Sequence, residues 1–304
     1  MKPAILVIYY SQTGQLKNLL DSILAPIQAQ ADIDIVAIEP TRKFPFPWTN
    51  NAFFDCMPEC VLQIPEEINK MHIPEKKYDL VILGYQPWFL SPSIPITSFL
   101  ESNYAHILKK SNVITVIGSR NMWLNAQEKI KEKLKSFDAH LIGNIVFRDK
   151  NPNLTSILTV IRWSFKGKKE AGKFLPEAGI SQLDIQDASK FGPIILSNLT
   201  ETQHLHNHLL HNGSVFLNPA LIILEKRGIA NFRKFASYIR EKGERGNPNR
   251  LSRVKLFNRL LLVGVFLLSP ISTITAKLSV LFNKKTIEKE VSYFKSIGYK
   301  QNAI

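Results

Sequence analysis

The sequence predicts an α/β protein, a doubly wound parallel sheet of five strands with helices on both faces. Five short apolar runs, each bounded by turn-forming residues, recur along the first half of the chain, and helical patterns separate most of them. Apolar runs of this length indicate buried strands, and alternation with helices favours a doubly wound sheet. The runs are residues 5–10, 33–38, 78–84, 112–118 and 141–147. We therefore expect ligands to bind beyond the carboxyl ends of these strands.

The first strand leads into a loop of small polar residues, Ser11, Gln12, Thr13, Gly14 and Gln15. The free N–H groups at a helix start, the helix dipole and two hydroxyl groups would together attract an anion. Glycine in the loop permits close approach of the backbone to a phosphate. The loop lacks the glycine pattern of dinucleotide sites and the Gly-Lys-Ser/Thr of triphosphate loops. An ordinary strand-to-helix turn is the alternative interpretation. The helix that follows should bury one apolar face, formed by Leu16, Leu19, Leu20, Ile23 and Leu24.

Two later loops should reach the same edge of the sheet, residues 85–93 and 119–123. In the first, the rings of Trp88 and Phe89 are candidates to stack on a planar ligand, or they cover the end of the sheet. In the second, Arg120 is a candidate to stabilise negative charge, or it pairs with a carboxylate. The predicted ring-binding residues are Gln86, Pro87, Trp88, Phe89, Gly118, Ser119, Arg120 and Asn121.

Other segments carry weaker patterns. Residues 40–65 are rich in proline and aromatic side chains and predict an irregular, ordered, functional insertion. Helical spacing predicts helices over 95–108 and 123–137, and a further helix over 181–199 with Ser181 as its N-cap. Four histidines at 204–211 lack the ligands that would complete a metal site, so we expect no metal.

Charge and cysteine content limit the function classes. The chain has 304 residues and a net charge of +14, and residues 226–259 contain eleven basic and two acidic residues, a net +9. Cys56 and Cys60 have no second pair to form a zinc site, and Met1 is followed by a strand without a signal-peptide pattern. We therefore expect reduced thiols and a cytoplasmic location.

An uncharged run of 17 residues, 260–276, follows the basic stretch. A straight helix of that length spans about 26 Å, barely the hydrocarbon thickness of a bilayer. Pro270 interrupts the run and basic residues flank both ends, which favours a broken helix that enters the membrane and returns. The predicted partner is an anionic membrane surface. A buried core helix is one alternative, and nucleic-acid binding is disfavoured because no recognition motif accompanies the charge.

The predicted organisation has three parts: a sheet domain over 1–200, a basic α/β extension over 201–250 and a membrane-associated tail over 251–304. We expect a peripheral or monotopic protein on the cytoplasmic face of the inner membrane.

The loop after the first strand resembles the FMN phosphate loop of flavodoxin-like proteins, Ser/Thr-x-Thr-Gly-x-Thr/Ser. Five of its six positions agree, and the sixth is Leu16, so one hydroxyl donor is missing. Longer segments are similar to the bacterial family known as the dialkylresorcinol condensing enzyme, of aryl polyene and flexirubin pigment clusters. They are PFPWTNNAFFDCMPECVLQIP, GYQPWFLSPSIPITSFL, VITVIGSRNMWLNAQEKIK and GNPNRLSRVKLF.

The resemblance implies an FMN-dependent aromatase that oxidises 2,5-dialkylcyclohexane-1,3-diones to dialkylresorcinols, with a separate ketosynthase as a partner. The condensing name does not fit, because no Cys-His-His constellation is identifiable in the chain. Candidates for the base are Tyr85, Asp55 and His72. The alternatives are a membrane-bound quinone reductase or electron carrier and a flavin-free scaffold for a ketosynthase. A homodimer is the candidate assembly.

Overall fold

The computed structural model describes residues 2–299 and confirms the five-stranded parallel sheet. The strands are β1 (Ala4–Tyr9), β2 (Asp32–Ala37), β3 (Leu80–Tyr85), β4 (Asn112–Ser119) and β5 (His140–Arg148). Their order in the sheet is β2-β1-β3-β4-β5, and all neighbours are parallel. This is the flavodoxin-like order, whose switch point lies between β1 and β3. Each predicted strand agrees with an observed one to within two residues at either end.

Thirteen α-helices occur within residues 2–299. They are α1 (Gln15–Leu24), α2 (Asn50–Asp55), α3 (Met57–Val61), α4 (Ile94–Leu100), α5 (Leu124–Ser136), α6 (Asn153–Lys166), α7 (Gln182–Asp187), α8 (Phe191–Ser197), α9 (Thr202–His211), α10 (Pro219–Arg240), α11 (Leu251–Val263), α12 (Ser269–Phe282) and α13 (Lys284–Lys295). A π-helical segment, Gly264–Leu268, joins α11 to α12.

The sheet is buried between two helical layers because successive strand side chains point to opposite faces. On one face, Ile5 and Val7 pack with α1, α7, α8 and α9, and on the other, Leu6 and Ile8 pack with α4 and α5. The apolar face predicted for α1 is confirmed, since all five of its residues are buried.

Two predicted helices are divided. Residues 95–108 form α4 and then a 3₁₀ segment, Asn103–Leu108, because the Ser102 hydroxyl donates to the Phe99 carbonyl and accepts from the Tyr104 N–H. Residues 181–199 form α7 and α8. The backbone of α8 approaches α1 so closely that a Cβ on Gly192 would lie 2.1 Å from the Ile23 carbonyl oxygen. The Ser181 cap is confirmed, because its hydroxyl accepts from the Asp184 N–H at 3.1 Å.

The insertion and the C-terminal helices form a third packing layer. Residues 40–65, predicted to be irregular, contain α2 and α3, and α10 and α11 pack on these two helices. The prediction of α/β structure for 201–250 is wrong, because that stretch contains the helices α9 and α10 and no strand. Arg250 is fully buried and forms a bidentate pair with Glu59 of α3, at 2.7 and 2.9 Å. This ion pair joins the insertion to the start of α11.

No single helix within residues 2–299 is long and apolar enough to cross a membrane. Two segments, Pro248–Leu268 and Ile271–Phe282, reach that length and composition only together, and they meet at a bend of 62°. The bend falls at the position of Pro270, where the sequence predicts an interruption.

Candidate functional site

The loop after β1 presents backbone donors at the start of α1. Gly14 is the N-cap of α1 with a φ of 79°, a left-handed conformation that glycine adopts without strain. Among the described residues, the backbone N–H groups of residues 13–16 have no protein acceptor. A Cβ on Gly14 would have no neighbour within 4 Å. The loop therefore offers four consecutive donors at a helix N-terminus, an arrangement that attracts an anion.

Gln12 joins this loop to its neighbours. With the Gln86 amide oriented to satisfy its surroundings, its oxygen accepts from the Gln12 N–H at 3.1 Å and from Trp88 Nε1 at 3.3 Å. The Gln12 side chain donates to the Phe44 carbonyl at 3.2 Å and accepts from the Tyr10 hydroxyl. The backbone N–H of Gln12 therefore joins the loop after β1 to the loop after β3. The next four N–H groups, those of residues 13–16, remain available to a ligand.

A segment that the sequence did not single out forms the third side of the site. The Gln15 side chain donates to the Ile180 carbonyl at 2.8 Å and accepts from the Ile180 N–H at 3.0 Å. Gly179 has a φ of 81°, and a Cβ there would lie 2.7 Å from Gln15 Oε1 and 2.9 Å from the Trp163 ring. The reciprocal pair therefore requires glycine at this position. Because it joins residues 165 positions apart, no local pattern indicates it.

Aromatic side chains form the opposite wall. The Trp88 ring meets the rings of Phe44, Trp48 and Tyr10 edge-on, at centroid distances of 5.0, 5.3 and 5.8 Å. Edge-on packing of this kind is favourable beyond the area it buries. The rings that line the site are Phe46, Trp48, Phe53, Trp88, Phe89 and Trp163. The insertion at residues 40–65 supplies three of them, Phe46, Trp48 and Phe53.

Arg120 is the one ionisable side chain in the described lining. Its guanidinium donates to Asn153 Oδ1 at 2.8 Å. Burial lowers the pKa of Arg120 to about 10, and the nearby Asp149 opposes that shift. Arg120 is therefore cationic at neutral pH and partly desolvated. Asn121 donates to the same Asn153 oxygen at 2.9 Å and does not line the cavity.

Together these loops enclose a cavity of about 280 Å³. Small-molecule sites usually measure about 300–1,000 Å³, so a ligand larger than a single ring would remain partly exposed. Of the predicted cofactor-binding residues, Ser11, Gly14 and Asn121 do not line it, and Ser11 instead accepts from the Lys17 N–H at 3.4 Å. The others line it, and they are Gln12, Thr13, Gln15, Gln86, Pro87, Trp88, Phe89, Gly118, Ser119 and Arg120.

The structure does not bring the three candidate bases to this cavity. Tyr85 is fully buried outside the cavity lining, and its hydroxyl donates to Gln127 Oε1 at 2.6 Å. Burial raises the pKa of Tyr85. Asp55 lies 2.7 Å from Arg250 Nε and accepts from the Gly246 N–H. His72 is exposed on the segment before β3. Their positions therefore correct the expectation that one of them removes a proton at this site.

The residues present fit a phosphorylated, planar aromatic group such as FMN. Four open amides and the Thr13 hydroxyl match a phosphate, and the rings of Trp88 and Trp48 match an aromatic system. No cluster of three or more metal-ligating side chains is found within residues 2–299.

A scan against protein-family models gives no match, and a search of curated proteins gives none. Solved structures similar to the chain include a flavoprotein in complex with FMN from Lactobacillus acidophilus, at 19% identity and a TM-score of 0.40. That match covers 48% of this chain and 93% of the other. An archaeal flavodoxin matches at 11% identity and a TM-score of 0.37, over 65% of this chain and 99% of the other. A flavoprotein from Bacteroides eggerthii matches at 19% identity and a TM-score of 0.35, over 48% of this chain and 86% of the other.

Proposed function

We propose that this chain is an FMN-dependent oxidoreductase acting on a cyclic dione. The observation that carries the proposal is the row of four open amides, residues 13–16, at the edge of an aromatic cavity. These amides would hold the phosphate, and the Thr13 hydroxyl would add a fifth donor. The rings of Trp88 and Trp48 would border the flavin ring.

The substrate class follows from the sequence resemblance, and the chemistry of the cavity supports it. Oxidation of a 2,5-dialkylcyclohexane-1,3-dione to a dialkylresorcinol removes a proton from a carbon next to a carbonyl and a hydride from the neighbouring ring carbon. Bound flavin supplies a hydride acceptor. The ring then tautomerises to the aromatic diol, so the electrons and protons balance.

Arg120 would stabilise the enolate that forms when the proton leaves. A partly desolvated cation interacts more strongly with a developing oxyanion than an exposed one does. The Asn153 contact fixes the guanidinium, since Asn153 Oδ1 accepts from both Arg120 and Asn121. The described lining contains no carboxylate or imidazole. We therefore expect solvent water to accept the proton.

The test is anaerobic addition of a dialkylcyclohexanedione to FMN-loaded protein, followed by absorption near the flavin band and by analysis of the product. We expect the yellow colour to bleach and one resorcinol to form per flavin. Arg120→Met should keep FMN bound but slow the bleaching roughly 100-fold, in the range expected for one oxyanion-stabilising donor. Thr200→Ala, an exposed position outside the cavity, is the matched control and should bleach at the wild-type rate.

Other outcomes would replace the proposal. Protein that ignores the dione and reduces quinones with NADPH is a quinone reductase or electron carrier. Colourless protein that does not bind added FMN but retains a ketosynthase is a scaffold.

A further inference from the structure

We propose that the outer surface of α11, the π segment and α12 docks onto an anionic lipid bilayer without crossing it. The docking surface is defined by its exposed apolar residues, which are Leu256, Leu260, Leu262, Val263, Phe266, Leu267, Leu268, Ile271, Ile274, Leu278, Leu281 and Phe282. This proposal does not depend on FMN binding.

The apolar side chains are exposed although the helices themselves are anchored. On the inner side, Phe257 and Ala276 are buried, and Arg227 Nη1 donates to Thr275 Oγ1 at 3.0 Å. On the outer side, Leu281 is 73% and Phe282 is 84% exposed. Contiguous apolar surface of this kind on a soluble chain marks a membrane or protein contact.

The charge around this surface favours lipid over a second protein. No aspartate or glutamate occurs between Arg245 and Ile287. The exposed basic residues that border the apolar side chains and have no ion pair within residues 2–299 are Lys255, Arg259, Lys277 and Lys285. Apolar residues bordered by bases are the composition of interfacial helices, which bind anionic headgroups while their apolar side chains enter the acyl boundary.

The bend determines how the surface meets the bilayer. The two helical segments meet at 62° near Pro270, and neither alone is both long and apolar enough to cross. Basic side chains lie on α11 before the bend and on α12 and α13 after it. Both ends of the helix pair should therefore stay at the headgroups on the same side of the bilayer. The apolar side chains of both helices and of the bend would then reach the acyl boundary, while the bases remain at the headgroups.

A continuous cluster of rings joins this surface to the cavity. Phe53 and Phe89 line the cavity with centroids 4.8 Å apart. Phe89 lies 6.2 Å from Phe232, which lies 5.7 Å from Phe257 on the inner face of α11. Docking would therefore place the bilayer next to α11, whose Phe257 belongs to this cluster of rings. Apolar compounds dissolved in the bilayer would then be close to the cavity.

Sedimentation of the full chain, without added FMN, with vesicles measures the docking. We expect binding to vesicles of phosphatidylcholine mixed with phosphatidylglycerol, weak binding to phosphatidylcholine alone, and loss of binding in high salt. Lys277→Glu with Lys285→Glu should lower the partition coefficient roughly 30-fold or more. Phe282→Ser should lower it roughly tenfold. A Leu281→Trp variant should show fluorescence quenching by brominated lipid chains.

Matched controls separate docking from nonspecific attraction. Phe174 is 86% exposed outside this surface, so Phe174→Ser should leave binding unchanged. Lys70→Glu with Lys77→Glu makes the same charge change at exposed positions elsewhere. If these controls lose binding equally, if the wild type binds no vesicle, or if Phe282→Ser instead converts a dimer to a monomer, the proposal is wrong.

Discussion

Replacing Arg250 should destabilise the protein strongly, because it would leave a buried carboxylate without its main partner. Arg250 is fully buried, Glu59 is 2% exposed, and the two form hydrogen bonds of 2.7 and 2.9 Å. In Arg250→Met, Glu59 would retain only the longer contact to Arg240, at 3.2 Å, among the ion pairs of the described chain. Removing one partner of a buried pair costs about 3–5 kcal/mol.

Urea unfolding at neutral pH measures this cost. With a denaturant slope of about 3 kcal/mol/M, the midpoint should fall by roughly 1–2 M. Arg253→Met is the matched control, because Arg253 pairs with the mostly exposed Glu241 at 2.8 Å, and such pairs contribute about 0–1 kcal/mol. Glu59→Gln combined with Arg250→Met should recover part of the loss. If Arg250→Met unfolds within 1 kcal/mol of the control, on the scale of a surface pair, the pair does not anchor α11.

Two further predictions concern stability. Burial raises the pKa of Glu225 to about 7, while Asn125 and its neighbours lower it through backbone N–H groups. In the unfolded chain this carboxyl ionises near its ordinary pKa of 4.5. The free energy of unfolding should therefore fall by about 3 kcal/mol as pH rises from 4.5 to 7, and it should change little above pH 7. Glu225→Gln should remove this slope in urea unfolding across that range, and an unchanged slope would contradict the assignment. Gly192→Ala should destabilise by about 1–3 kcal/mol, since its Cβ would meet the Ile23 carbonyl oxygen at 2.1 Å. Gly264→Ala, with no atom within 4 Å, should be neutral or stabilising by thermal melting, and equal effects at the two sites would refute the packing argument.

The parts of the fold that depend on local pattern were predictable. Apolar runs located all five strands, and helical spacing located the buried face of α1, because both signals repeat over a few residues. The role of Tyr85 was not predictable in this way. It precedes Gln86, which lines the cavity, so its neighbours in the chain made it a candidate base. Its hydroxyl instead donates to Gln127, 42 positions away, and no local pattern indicates that contact.

Pairings between distant residues were not predictable. Gln15 meets Ile180, and Asp55 meets Arg250, because the fold brings separate segments together. No composition or spacing encodes such a contact. The same limit explains why Asp55, judged from its neighbours in the chain, was a candidate base and is instead an ion-pair partner. The loop at residues 11–15 could be proposed as a phosphate site from the sequence, because its polar residues are consecutive.

The central claim is that the amides of residues 13–16 bind the phosphate of FMN. Comparing the affinities of the purified chain for FMN and for riboflavin, by quenching of flavin fluorescence, tests it most directly, because the two differ only in the phosphate. We predict that FMN binds at least roughly 100-fold more tightly, as several charge-assisted hydrogen bonds require. Equal affinities, or no binding of either flavin, would contradict the account.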